Sequence, residues 1–173
     1  MSWFGNDSRR DVEVHRYPLL IYVLLPLAAL VLQAWLPRII GPYIWFDLPL
    51  VVTIYFALGR RNPMQGTLLG MAMGLFEDAL SHRAIGINGL AKTIAGFLAG
   101  SVGIRIEVDN QTIRLLLGFA LSWLSSAIYL FVNRFLLGLP MEWNWLTELF
   151  RAVGNTLIVL VLFPLLDRMQ VRD

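Results

Sequence analysis

The 173-residue sequence predicts an all-α integral membrane protein, a compact bundle of six transmembrane helices forming a single polytopic domain over residues 1–173. Three observations carry that reading. Hydrophobic residues make up 57% of the chain and charged residues 15%, with a mean hydropathy of +0.65. A soluble domain of this length runs at about 45–50% apolar and about 25% charged, so too little polar surface remains to solvate a globule. The apolar residues fall into six runs separated by short polar breaks. The basic residues gather in alternate breaks.

A bilayer core about 30 Å thick takes roughly 20 apolar residues of helix. Pro18–Leu36 is the first such run, with Gln33 its only strongly polar member. It exceeds the ~7–15-residue core of a cleaved leader, and Asp11 and Glu13 precede it. It therefore reads as a retained helix behind a short cytoplasmic tail, residues 1–16. The second run, Phe46–Leu58, is short and borrows Tyr43 to Trp45 at its start. The third, Pro63–Leu80, opens with proline, where the missing N–H costs nothing. A re-entrant hairpin is the other reading of this short pair. Ile85–Ile104, Ile113–Leu137 and Trp145–Leu166 complete the six.

Lysine and arginine in short loops set orientation. With the N-terminus inside, the cytoplasmic segments hold nine basic residues: Arg9, Arg10, Arg16, Arg60, Arg61, Arg105, Arg114, Arg168 and Arg172. The outer loops hold two, Arg38 and Arg83. Both termini are then cytoplasmic. Trp35, Trp45, Trp143 and Trp145 fall at the outer boundary, where amphipathic rings favour the membrane interface.

Composition also removes several classes of function. The net charge of +2 comes from basic residues scattered singly or in pairs between apolar runs, which is not a nucleic-acid footprint. With no cysteine and only two histidines, thiolate and histidine-rich metal sites, disulfides and a cysteine nucleophile are excluded. Ser122, Ser125 and Ser126 form a weakly polar face without a base beside them in sequence, so a serine nucleophile has little support. Ile85-Gly86-Ile87-Asn88-Gly89 reads as a tight turn leading into the fourth helix. It is no phosphate cradle, since no Gly-Lys-Ser/Thr follows. The expectation is a non-enzymatic protein without cofactor or metal.

Two groups of residues remain. Gly66, Gly70 and Gly74 recur every fourth residue on one face of the third helix, and Gly96 and Gly100, with Gly103 nearby, repeat the device on the fourth. Faces without side chains let helix backbones approach closely in lipid. The seam serves either internal packing or docking of a partner's transmembrane helix. The second group is ionisable: Asp47, Glu77, Asp78, Lys92, Arg134, Glu148 and Arg151 all fall in the outer half of the bundle. Intramembrane charges of this kind form local ion pairs that fix helix register, or they line a polar pocket or partner contact. Lys92 needs a partner, and Glu77 and Asp78 are the nearest carboxylates in sequence; Asp78 is expected to pair with Lys92 or another outer cation and so hold the outer ends of the third and fourth helices together. Asn133 and Asn155 read as interhelical hydrogen-bonding amides.

The string Gly66-x3-Gly70-x3-Gly74-Leu75-Phe76-Glu77-Asp78-Ala79-Leu80, followed by Gly86-Ile87-Asn88-Gly89-Leu90 and Thr93-Ile94-Ala95-Gly96-Phe97-Leu98, resembles the core pattern of the MreD family of rod shape-determining membrane proteins. Length, helix count and short tails resemble that family as well. The resemblance implies a subunit of the cell-wall elongation machinery in the bacterial inner membrane. Its implied partners are the single-span periplasmic protein MreC, RodA with its transpeptidase and, indirectly, MreB, within a lipid bilayer. It brings no catalytic residues. Glu77 departs from the pattern, which expects an apolar residue before the aspartate. A second resemblance, in size and helix number, is to the substrate-binding subunits of energy-coupling-factor vitamin transporters. That likeness implies an outward pocket between the helices.

Overall fold

Capping residues set most of the helix starts in the computed structural model, which describes residues 19–40, 46–81, 84–106, 110–139 and 144–168. Helix α1 spans Leu19–Ile40 and continues through Pro26 and Pro37. Asp47 opens α2 (Leu48–Arg60) by accepting the amide of Leu50. Asn62 opens α3 (Pro63–Leu80), its side chain accepting from Met64 and Gln65, with Pro63 in the first turn. Helix α4 (Ile87–Arg105) has no side-chain cap of its own; Gly86 precedes it at a φ of 106°, a left-handed conformation that favours glycine. Asn110 opens α5 (Gln111–Phe131), which winds into a π-helical turn over Val132–Leu136, and Asn144 opens α6 (Trp145–Asp167).

All described residues outside these helices are short connections, and the six-helix count read from the sequence stands. Four of the helices, α1, α4, α5 and α6, are long and apolar enough to cross a membrane. Their outward faces are apolar too: Leu24, Leu27 and Val31 on α1, Leu116 on α5 and Val161 on α6 are all exposed. So much contiguous apolar surface belongs in contact with lipid rather than water. The architecture is that of a multi-pass membrane protein.

Helix α2 differs from the rest. Its 13 residues rise only about 20 Å, well short of the ~30 Å hydrocarbon core. Every residue from Pro49 to Leu58 is buried. It is the central strut of the bundle, packed on by the five other helices. Helices α3 and α4 form the most intimate pair, α5 and α6 the second, and α1 leans on α2 and α3 from one side. Tyr43 to Trp45, Trp143, Arg83 and the tail over 1–16 lie outside the described residues.

Candidate functional site

The chain alternates in direction, so α1, α3 and α5 finish at the end of the bundle where α2, α4 and α6 begin. A cavity of about 450 Å³ sits there, over the first residues of the short central helix. Asp47, Glu77 and Asn88 lie at its base, Gln33 on the α1 side, Ser122, Ser125, Ser126 and Tyr129 along α5, and Arg151 and Asn155 on α6.

Polar side chains tie the helices together around this space. Gln33 donates to the carbonyl of Phe46 at 3.2 Å and accepts the amide of Leu48 at 3.0 Å, fastening α1 to the start of α2. Asn155 accepts the amide of Asp47 at 2.6 Å and donates to Ser122 at 3.1 Å, linking α6 to α2 and α5. The interhelical role expected of Asn155 is met. Asn133 instead donates to the carbonyl of Tyr129 within its own helix.

Lys92 is wholly buried, and its ammonium lies 2.6 Å from Asp47 and 2.5 Å from Glu77. One cation held between two carboxylates joins α2, α3 and α4. An unpaired ammonium at this depth would cost several kcal/mol, so the pair of acids is what makes the position tenable. The expected Asp78–Lys92 pair is not formed. Adjacent residues on a helix point about 100° apart. Glu77 faces Lys92, and Asp78 faces the start of α4.

There Asp78 does other work. Fully buried, it accepts the backbone amides of Gly86 at 2.8 Å and Asn88 at 3.1 Å and the Asn88 side-chain amide at 2.7 Å, with the Gly89 amide at 3.4 Å. A carboxylate on those otherwise unpaired N–H groups replaces the missing cap of α4 and complements its positive end. Asp78 is a cap supplied by the neighbouring helix.

The glycine seam is internal. A Cβ on Gly66 would collide with the Gly96 carbonyl, one on Gly70 with the Lys92 carbonyl, one on Gly74 with Asn88 and Gly89, and one on Gly100 with Asn62 and Pro63. Each obstacle is backbone, so the seam holds α3 against α4 in one register and leaves no room for a partner's helix. Because Gly70 abuts the Lys92 backbone, Glu77, about two turns further along α3, comes within reach of the Lys92 side chain.

The remaining expected residues divide. Glu148 is buried and pairs with Arg151 at 3.3 Å, and Arg151 reaches the cavity. Arg134 lies exposed on the π-helical turn and is no part of the cluster. Family models, curated proteins and solved structures give no match to this chain.

A second polar cluster, at the opposite end, escaped the sequence reading. Arg114 pairs with Asp167, and the Tyr55 hydroxyl donates to the same carboxylate at 2.9 Å. The Arg114 guanidinium also sits over the Phe163 ring, 5.8 Å from its centre. Arg114 read as an ordinary loop charge; it is the fourth residue of α5, and α6 ends in Asp167 at the same end of the bundle. The two acids of the first cluster are occupied by an ammonium, and no group of three metal-ligating side chains occurs among the described residues.

Proposed function

We propose that this protein is a non-enzymatic membrane subunit of the bacterial cell-wall elongation machinery, required for rod shape. In this reading it lies in the inner membrane with both termini cytoplasmic, binds MreC and helps to organise peptidoglycan synthesis by RodA and its transpeptidase. One observation carries it: the residues that resemble the MreD core pattern build a single structural unit. Gly66, Gly70, Gly74 and Gly96 fuse α3 to α4, and Asp78 clasps the turn between them. A motif whose members all hold one helical hairpin together suits an assembly protein better than an enzyme. The cavity end, from the basic-residue asymmetry, is periplasmic and faces the side on which MreC carries its folded domain.

The test is deletion and complementation in a rod-shaped host, with affinity purification from detergent. Loss of rod shape on deletion, and recovery of MreC with the tagged protein, support the reading. Normal rods together with recovery of transporter ATPase and coupling subunits replace it with the vitamin-transport reading. The 450 Å³ cavity favours that second reading.

A further inference from the structure

We propose that a groove at the end of the bundle opposite the cavity holds one anionic phospholipid, its phosphate on Arg60 and the start of an acyl chain against Phe56 and Leu69. The proposal does not rest on the elongation reading, since it concerns only how the bundle sits in its bilayer.

The groove lies where α1 and α3 begin and α2 ends, with Tyr22, Phe56, Ala57, Arg60, Gln65 and Leu69 around it. At about 200 Å³ it falls below the roughly 300–1,000 Å³ of sites that enclose a whole small molecule. Its make-up is graded along the bundle axis. Arg60 is the last residue of α2 and Gln65 the third of α3, whereas Phe56 and Leu69 lie about one helical turn deeper. A polar mouth over an apolar floor matches a ligand with a charged head and a hydrocarbon body. The helices on either side expose Val23 and Leu24 from α1 and Met64 and Leu68 from α3, so the surface around the groove belongs in lipid.

Charge then selects the head. The Arg60 guanidinium stacks over Tyr22 at 4.2 Å from the ring centre, and Tyr22 rests in turn against Phe56 at 5.0 Å. The ring takes one face of the guanidinium and leaves its N–H edge, the edge that meets phosphate. Among the described residues no carboxylate or other hydrogen-bond acceptor is paired with that edge. The wider field has the same sign. By chain order four stretches belong to this end, and residues 1–18, 105–114 and 167–173 each carry as many acids as bases. The α2–α3 turn carries Arg60 and Arg61 and no acid. Arg61 is not the second half of the site. Its Cγ lies 3.5 Å from where a Cβ on Gly103 would stand, which turns it toward α4. A single phosphate at the mouth is the complement of Arg60, and the surrounding leaflet supplies it already joined to an acyl chain.

The full-length protein would be placed in nanodiscs of mixed phosphatidylglycerol and phosphatidylcholine. A salt concentration of about 0.15 M shortens the Debye length to about 8 Å and mutes the general field of the surface. Native mass spectrometry reads the lipid retained on release from the disc, and phosphatidylglycerol should be kept over phosphatidylcholine. Arg60 ends its helix and makes no ion pair, so Arg60→Gln should fold; it should lower that retention about tenfold. Arg105→Gln removes the same charge from an exposed position on α4 and should leave retention nearly unchanged. Leu69→Phe fills the floor, leaves Arg60 in place and should lower retention as well. If Leu69→Phe does not fold, the comparison of the two arginine variants decides. No preference between the two lipids overturns the proposal, as does unchanged retention in folded Leu69→Phe. Equal losses from Arg60→Gln and Arg105→Gln also overturn it, because surface charge alone would then set the preference. A thermal midpoint raised by glycerol 3-phosphate through Arg60, without retained lipid, replaces the lipid with a soluble phosphate and overturns it too. Each of these failures leaves the elongation reading standing, because that reading is decided by complex recovery and cell shape.

Discussion

Helices α3 and α4 meet backbone to backbone, whereas α5 and α6 meet through side chains. Between α3 and α4, Gly66, Gly70 and Gly74 place carbonyls and α-carbons of the opposite helix where side chains would otherwise be. Between α5 and α6, contact runs through Ser122 with Asn155, Gly118 with Val159 and, at the far end, Arg114 with Asp167. Lipid offers no hydrophobic drive for helices to associate, so both pairs depend on fit and hydrogen bonding. They differ in what can yield. A side chain can change rotamer to absorb an added atom. A carbonyl fixed in its own helix cannot, so α3 and α4 must move apart as bodies, carrying Lys92 away from Glu77.

The sharpest test of that contrast is Gly70→Leu. The added side chain meets the Lys92 carbonyl, and the cost should exceed the ~1–3 kcal/mol of ordinary overpacking because nothing nearby can adjust. The variant should fail to accumulate as folded protein in a fluorescence size-exclusion assay. Leu68→Ala, on the exposed face of the same helix, should accumulate normally. Equal loss of both would remove the rigid-seam account.

Lys92→Leu comes next. It leaves Asp47 and Glu77 buried together without their cation, and breaking such an arrangement commonly costs ~3–5 kcal/mol. Adding Asp47→Asn and Glu77→Gln should restore part of the stability, measured by thermal unfolding in detergent. If the triple variant is no better than Lys92→Leu, the ion pairs are not what holds α2, α3 and α4 together.

Asp78 separates capping from charge pairing. Asp78→Ala leaves the amides at the start of α4 without their acceptor, at about 1–3 kcal/mol for the buried groups stranded. A double-mutant cycle should find Lys92 coupled to Glu77 by more than about 1 kcal/mol, and its coupling to Asp78 distinctly smaller. The reverse ranking would return Asp78 to the role of lysine partner.

What the sequence revealed, and what it hid, follow the same division. The run Pro63–Leu80 coincides with α3, and Trp145–Leu166 ends one residue short of α6, because charged and capping residues bound each apolar stretch. The glycine faces were legible because a four-residue repeat is a local property. Partner choice was not. Lys92 reaches Asp47 across 45 positions, and Tyr55 reaches Asp167 across 112, distances over which nothing in the chain records proximity. Of the seven ionisable residues grouped by depth, Asp47, Glu77 and Arg151 line one cavity and Lys92 lies directly behind it. Arg134 shares their depth and faces outward, since depth fixes a position along the bundle axis and says nothing of the angle around it.

The finest test compares one substitution at two places, Gly118→Ala against Gly70→Ala. At Gly118 a Cβ would come 3.0 Å from a Val159 methyl and 3.5 Å from its Cβ, a tight contact with a side chain. Valine has little rotamer freedom in a helix, so relief must come from a shift of a few tenths of an ångström between α5 and α6. Opposing that cost, alanine in a helix interior is worth about 1 kcal/mol over glycine. The two nearly cancel, and Gly118→Ala should change stability by less than about 1 kcal/mol. At Gly70 the same helix-propensity gain applies, yet the added carbon overlaps the Lys92 carbonyl, and the net effect should be clearly destabilising. Thermal midpoints of the two variants, measured side by side in one detergent, check this directly. Should Gly118→Ala prove as damaging as Gly70→Ala, the α5–α6 pair is as rigid as α3–α4. The distinction between yielding and unyielding seams would then fail.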